Sequence, residues 1–207
     1  MKLNCHDYHG IERLERTFIQ GGVNMLGIVF TEFVEMVEER FSDDVLDDVL
    51  DTPDLSTSGA YTSVGYYEHT DMIKMVVTLS KTVNVPIDDL ISAFGEHLFG
   101  KLVAKYPVLV EDQNNVLDFL ETIDSVVHKE VLKLYPQAEL PKFSTERLSP
   151  DQLQMTYRSK RPFSQLALGL IKGCAQHFKQ QVEVSYSSSD TDDYYSTTFV
   201  IMLSYDG

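Results

Sequence analysis

The sequence predicts an α+β fold, with helices in the first two thirds of the chain and antiparallel strands mainly in the last third. Apolar residues recur every three or four positions over much of residues 26–134, which is the spacing of helices with one buried face. Near the end of the chain apolar residues alternate instead, as at Val182, Val184 and Tyr186, which is the spacing of a strand. Because the two kinds of element are largely segregated along the chain, we assign the α+β class.

Residues 1–24 differ from the rest of the chain and are predicted to be an N-terminal extension outside the fold. They have no regular apolar pattern, and they end near Gly21-Gly22, a pair that interrupts helices. Met25 then opens a clean amphipathic pattern. We therefore expect the folded domain to comprise residues 25–207.

The N-terminal half of this domain is predicted to contain four helices, at about residues 26–41, 45–50, 70–79 and 87–106. Thr70 or Asp71 is a candidate cap for the third helix. Residues 53–59 read as a loop, and residues 60–67 as short extended structure or loop. In the fourth helix, Gly95 and Gly100 are possible interruptions.

The C-terminal half is predicted to contain a long helix, a strand, a further helix and a hairpin. The long helix runs from residue 114 or 115 to about residue 134, where Tyr135-Pro136 ends it. Pro141 fixes a turn before a strand over residues 153–161. A helix follows over about residues 163–178, and two alternating segments, 182–186 and 199–205, form the hairpin.

Composition excludes some classes of partner. The chain has 207 residues and a formal net charge of -15, with 32 acidic residues against 17 basic ones. This charge would repel a nucleic-acid backbone and an anionic membrane surface, so we expect neither as a partner. Two cysteines, Cys5 and Cys174, cannot build a disulfide framework. With no apolar run of membrane-spanning length and no signal-peptide core, the expected location is the cytoplasm.

The strand over residues 153–161 carries an unusual set of polar groups on its apolar face. Alternation places Tyr157, Ser159 and Arg161 on the same face as Leu153 and Met155. A buried guanidinium is costly unless an anion meets it, and its forked donors suit a carboxylate. This face is therefore a candidate clamp for an acidic group beside an apolar body; the alternative is an ordinary polar strand end.

His128 is the second candidate, since it lies beside the apolar stripe of the long helix. An imidazole in that position needs a partner, which could be the metal of a cofactor or a backbone carbonyl. A hydrolase that pairs His128 with Asp124 or Glu121 is a further alternative, although no nucleophile is placed beside them.

Taken together, these features resemble the H-NOX family, the haem-nitric oxide/oxygen binding domains related to the haem domain of soluble guanylate cyclase. The resemblance rests on a long helix with His128, a proline-bearing turn and a strand ending Tyr-x-Ser-x-Arg, and it spans essentially residues 25–207. It implies that the fold encloses haem b, with His128 as the proximal iron ligand. It also implies that Pro141 contacts the ring and that Tyr157, Ser159 and Arg161 bind the propionates.

The resemblance also implies which gas is bound. Family members that hold dioxygen stably carry a distal tyrosine, and the matching position here is Leu166. The two positions that assist such a tyrosine match Phe33 and Leu98, which have no donors either. An apolar pocket of this kind withholds the hydrogen bond that dioxygen needs, so nitric oxide is the expected ligand and carbon monoxide a second candidate.

By the same resemblance, the chain is expected to be a sensor and not an enzyme. Gas binding would weaken the bond between His128 and iron and free the His128 helix to move. The sequence shows no output domain, so the expected partner acts in trans, as a histidine kinase or a cyclic-di-nucleotide enzyme. The competing interpretation is a haem-free module that binds another apolar carboxylate.

Overall fold

The computed structural model describes residues 24–204 and confirms the α+β class. The helices are α1 (Gly27–Arg40), α2 (Asp43–Leu50), α3 (His69–Val83), α4 (Ile87–Lys105), α5 (Val116–Thr122), α6 (His128–Leu134) and α7 (Ser164–Phe178). The strands are β1 (Asn24–Leu26), β2 (Tyr66–Glu68), β3 (Lys142–Ser149), β4 (Gln152–Ser159), β5 (Gln181–Ser188) and β6 (Tyr195–Ser204). No helix of this described part is both long enough and apolar enough to cross a membrane.

The predicted extension over residues 1–24 lies outside the described residues, apart from Asn24, which is the first residue of β1. The last residue of the predicted hairpin, Tyr205, also lies outside them. The remainder of the chain forms two compact units. The first ends at Phe94 and the second begins at Gly95, so helix α4 runs through the boundary.

The first unit is built on the buried face of α1. Phe30 and Phe33 of this helix are fully buried, and the Phe30 ring stacks on that of Tyr61 with 4.6 Å between ring centroids. Strands β1 and β2 pair antiparallel, with Met25 opposite Tyr67. The ring of Phe33 packs edge-on against that of Phe94 at 5.3 Å. Aromatic packing therefore fixes the helix that carries Phe33.

Asp71 does not cap α3 as the sequence suggested, because that helix begins at His69 and Asp71 is buried in its first turn. The Asp71 carboxylate accepts two hydrogen bonds from Ser56, one from the backbone N–H at 3.0 Å and one from the side-chain hydroxyl at 2.6 Å. The Tyr61 hydroxyl donates to the same carboxylate at 3.3 Å. Burial, aided by the Asp71 charge and opposed by a hydrogen bond with Thr57, raises the pKa of Tyr61 to about 12. Asp71 therefore ties the preceding loop to the helix.

The second unit is a four-stranded antiparallel sheet, in the order β3-β4-β6-β5, with helices packed on one face. The core between sheet and helices is apolar and includes Phe119, Leu153, Met155, Ile171 and Phe199. The predicted strand, helix and hairpin of this half are all present. Strand β3 was not predicted, because Phe143 and Leu148 are its only apolar residues and it lies at the sheet edge.

Gly95 does not interrupt helix α4, which is continuous from residue 87 to residue 105. A Cβ atom at Gly95 would lie 2.5 Å from the carbonyl oxygen of Leu166 and 2.7 Å from the Cα atom of Gly169. At Gly173 it would lie 2.7 Å from the Cβ atom of Phe99. Glycines thus allow α4 and α7 to approach at backbone distance.

The long helix predicted from residue 114 or 115 to residue 134 is present but is not regular. Residues 116–122 form α5 and residues 128–134 form α6, whereas the intervening segment Ile123–Val127 is π-helical. In an α-helix each N–H bonds to the carbonyl four residues earlier, and in a π-helix to the one five residues earlier. The chain therefore accommodates one surplus residue directly before His128.

Candidate functional site

The face of β4 that carries the candidate clamp is buried along its whole length. Side chains alternate as predicted: Tyr157 is 3%, Ser159 9% and Arg161 6% exposed, whereas Arg158 and Lys160 between them are exposed. The strand ends at Ser159, so Arg161 lies in the bend just beyond it. The structure therefore buries the Arg161 side chain.

Two hydrogen bonds fix the backbone of this bend. The Tyr157 hydroxyl donates to the carbonyl oxygen of Arg161 at 2.9 Å, and the Arg161 N–H donates to the Ser159 hydroxyl oxygen at 3.1 Å. A phenol has a single hydrogen, so in this geometry Tyr157 holds the backbone of Arg161 and has none left for a ligand. The Ser159 hydroxyl accepts here, so its own hydrogen is not used in that bond.

The Arg161 side chain is the buried cation of the site. Burial lowers the pKa of its guanidinium, while the charges of Tyr157 and Glu139 oppose that shift. An arginine side chain nevertheless keeps its proton inside proteins. A carboxylate brought into this position would therefore meet a charged, forked donor that has already lost most of its contact with water.

His128 is the first residue of α6, and its burial favours the neutral imidazole. Its side chain is 16% exposed, and burial lowers its pKa, opposed by the charge of Asp124. The Asp124 Oδ1 atom lies 3.7 Å from His128 Nδ1 and also accepts a hydrogen bond from the Phe143 N–H at 3.2 Å. Neutral imidazole is the form that binds a metal ion. Glu121, the other carboxylate considered for His128, instead pairs with Arg147.

Phe143 joins the two parts of the site. Its ring centroid lies 5.7 Å from that of His128 and 5.7 Å from that of Tyr157, which is directly opposite it on the neighbouring strand. Pro141 is half-buried, two residues before Phe143. An imidazole and two aromatic rings thus follow one another in the second unit, and the hydroxyl of the last ring, Tyr157, bonds to the backbone of Arg161. Sequence reasoning missed Phe143 because it missed β3, and the proximity of Phe143 to Pro141 was the only available hint.

The residues predicted to shape the distal pocket lie on three helices. Leu98 of α4 is buried and Leu166 of α7 is half-buried, and their helices meet at backbone distance where Gly95 faces Leu166. Phe33 is buried in the first unit against Phe94. None of the three side chains has a hydrogen-bond donor.

Comparisons with known proteins agree on one family. Residues 26–186 match the family model described as Haem-NO-binding (HNOB). No curated protein matches the chain.

Three solved structures illustrate the similarity. The Fe(II) unliganded H-NOX protein from K. algicida is 33% identical, with a TM-score of 0.82 over 88% of this chain and 98% of that chain. The H-NOX from Shewanella woodyi, bound to IWP-051 in the Fe(II)CO ligation state, is 40% identical, with a TM-score of 0.73 over 86% and 94%. An H-NOX protein from S. oneidensis in the Fe(II)NO ligation state is 28% identical, with a TM-score of 0.78 over 87% and 100%.

These matches confirm the family that the sequence motifs suggested. The family model covers most of the chain, and the K. algicida and S. woodyi proteins exceed 30% identity over nearly their whole length. Family members bind haem and serve as gas-sensor modules, and they are not catalytic. With the fold and both comparisons in agreement, the chain belongs to the haem-NO-binding, or H-NOX, family.

Proposed function

We propose that this chain binds haem b through His128 and acts as a nitric oxide sensor that signals to a partner protein. The observation that carries the proposal is that Phe143 packs against the His128 imidazole on one side and against Tyr157 on the other, whose hydroxyl bonds to the backbone of the buried Arg161. An apolar disc with a metal at its centre and carboxylates at its rim needs an imidazole and a guanidinium together. Neither an exposed histidine nor a solvated arginine would meet that need.

Each residue of the site has a distinct role in this proposal. Bound ferrous haem supplies the iron that takes up a diatomic gas and the propionates that need cationic partners. His128 presents its Nε2 atom, since Asp124 lies on the Nδ1 side of the ring. Arg161 binds a propionate, Ser159 donates its free hydrogen, and Tyr157 keeps the Arg161 backbone in place. Pro141 contacts the ring, as the family resemblance implies.

Nitric oxide is the proposed ligand because the distal residues offer no donor. Bound dioxygen draws negative charge and needs a hydrogen bond to stay, which Phe33, Leu98 and Leu166 cannot supply. Nitric oxide binds ferrous haem without such a bond, and carbon monoxide is a second ligand on the same ground. Relatives solved in Fe(II)NO and Fe(II)CO states support this choice.

The proposed partner is a separate protein in the cytoplasm, either a histidine kinase or a cyclic-di-nucleotide enzyme. If gas binding weakened the hold on His128, α6, which begins at that residue, would carry the change to the surface. The net charge of -15 argues against nucleic acid or an anionic membrane as the receiver of the signal.

The proposal is tested by replacing the iron ligand. His128→Gly should abolish haem binding, seen as loss of the Soret band, and added imidazole should restore it. His177→Gly is the matched control, because His177 is an exposed histidine on α7 of the same unit; it should keep haem and shift its Soret band with nitric oxide. Full haem loading of His128→Gly without imidazole would show that another group binds the iron.

A further inference from the structure

The two halves of the His128 helix are attached to the protein very differently, and α5 is the anchored half. One Arg147 nitrogen, Nη2, lies 2.6 Å from both Asp118 Oδ1 and Glu121 Oε2, which ties α5 to β3. At the other end of α5 the N–H of Val116 donates to Gln180 Oε1 at 2.8 Å. Four of its seven residues are buried. We therefore expect α5 to stay fixed when a ligand binds or dissociates.

By contrast, α6 has no buried residue. Leu132 and Leu134 are 40% and 67% exposed. At the start of this helix, the His128 ring packs against that of Phe143 with 5.7 Å between the ring centroids. The His128 ring is thus the part of α6 that packs against β3.

The π-helical segment Ile123–Val127 separates these halves and stores one residue more than an α-helix would need. π-Helices are rare and occur mostly as single turns at functional sites. If the segment closed into an α-helix, everything after it would turn by about one α-helical residue, about 100°, and advance by about 1.5 Å. Asp124, bonded to the Phe143 N–H, holds the start of the segment to β3, so the turn would develop beyond it.

We propose that residues 123–127 are a register switch: when the hold on His128 is released, the π-helical segment closes into an α-helix and α6 rotates by about 100° about its axis. This inference rests on the proposed function, because release of His128 is the trigger. It goes further in stating how the signal leaves the site. The helix rotates in place and presents a different face, with α5 unmoved, and does not simply tilt away.

Rotation makes a specific geometric prediction. Closure adds twist, so each α6 residue moves to the angular position that the next residue occupied before. A side chain about 5–6 Å from the helix axis then travels about 8 Å. Lys129 should therefore take the former position of Glu130, and both side chains are exposed enough to carry a probe.

The test measures electron–electron distances between nitroxide pairs in the full-length haem-loaded chain. One label is placed at position 129 or 130, and the other at Glu183 on β5 or Glu146 on β3, which lie on opposite edges of the sheet. Cys5 is replaced by Ser, and Cys174 is fully buried and escapes labelling. With nitric oxide, the distances from position 129 should become those that position 130 gave without it.

Two variants separate rotation from other motion. Deleting Ser125, an exposed residue of the π-helical segment, removes the surplus residue and should abolish the distance change while the Soret shift with nitric oxide remains. Ser125→Ala keeps the residue count and should behave like the parent. A deletion variant that still moves, or a parent whose distances stay unchanged while its Soret band shifts, would overturn the switch.

A second measurement on the parent chain does not depend on the deletion variant folding. Amide hydrogen exchange in residues 123–134 should change with nitric oxide, while exchange in 116–122 stays the same. Equal change in both halves, or none in either, contradicts the switch. A parent chain without a Soret band or a nitric oxide response would instead overturn the proposed function.

Discussion

Replacing Arg161 by methionine should weaken haem binding without lowering the free energy of unfolding of the haem-free protein. Arg161 is 6% exposed, and burial already lowers the pKa of its guanidinium, so the haem-free protein holds this cation at a cost. Methionine has a similar length and no charge. Glu139, the carboxylate whose charge acts on Arg161, is exposed and would remain solvated after the change.

The size of each effect follows from this burial. Because methionine needs no solvation, removing the buried charge should leave the free energy of unfolding of the haem-free protein unchanged or raise it. The haem complex instead loses a charge-assisted hydrogen bond of about 1.5–3 kcal/mol. At 1.4 kcal/mol for each tenfold change, haem should dissociate about 10–150 times faster.

Urea unfolding of the haem-free chain gives the first quantity, and transfer of haem to excess apomyoglobin, followed in the Soret region, gives the second. Arg161→Lys is the control, since it keeps the charge and loses the fork, so its haem loss should be intermediate. Equal rates of haem loss for the parent and Arg161→Met would refute a propionate clamp. A joint fall in stability and retention would show that Arg161 is structural.

Three further predictions concern the rest of the site and its support. Leu166→Tyr adds a distal donor and should give a measurable oxy spectrum in air, whereas such a spectrum in the parent would contradict the assigned gas selectivity. Burial holds the pKa of His128 below 6.5, so the stability linked to its neutral form is complete above pH 6.5 and is lost as the pH falls below that value. Asp124→Asn removes the opposing charge and should lower the pKa of His128 further, as measured by NMR titration of the haem-free protein. A rise in this pKa would contradict the assignment. Gly173→Ala should lower the free energy of unfolding by about 1–3 kcal/mol, because the new Cβ atom would meet Phe99. Gly100→Ala is the control: the position has open space around it, and the change should raise the free energy of unfolding by about 1 kcal/mol. Equal effects of the two changes would argue against the close approach of α4 and α7.

The parts of the fold that could be predicted are those where burial imposes a period on the sequence. Strand β4 has its apolar and clamp residues at every second position, and the structure buries that face from Leu153 to Arg161. Helix α7 was recognised in the same way. The arginine at the end of the apolar face of β4 was informative, because burying a charge is costly and its position on that face can be recognised from the sequence.

Elements with few apolar residues, or with few residues in all, carry no such signal. Strand β3 is paired on one side only, most of its residues are exposed, and a sequence such as Lys142-Phe-Ser-Thr-Glu-Arg has no clear period. Strands β1 and β2 have three residues each, too few to show alternation. As a result Phe143, the residue that brings the imidazole and the clamp together, could be found only in three dimensions.

The π-helical segment could not be predicted for a reason that bears on its proposed role. Ile123, Val127 and Val131 follow at intervals of four residues and are all half-buried. An interval of four lies between the 3.6 residues of an α-helical turn and the wider turn of a π-helix, so Ile123 and Val127, which begin and end the segment, can face the core in either form, whereas Val131 turns with α6. The apolar pattern therefore does not distinguish two registers that differ by one residue. Because burial favours neither the π-helical nor the α-helical register strongly, the contacts of His128 and Asp124 determine which one forms. Under this condition, release of the His128 side chain can change the register of the helix.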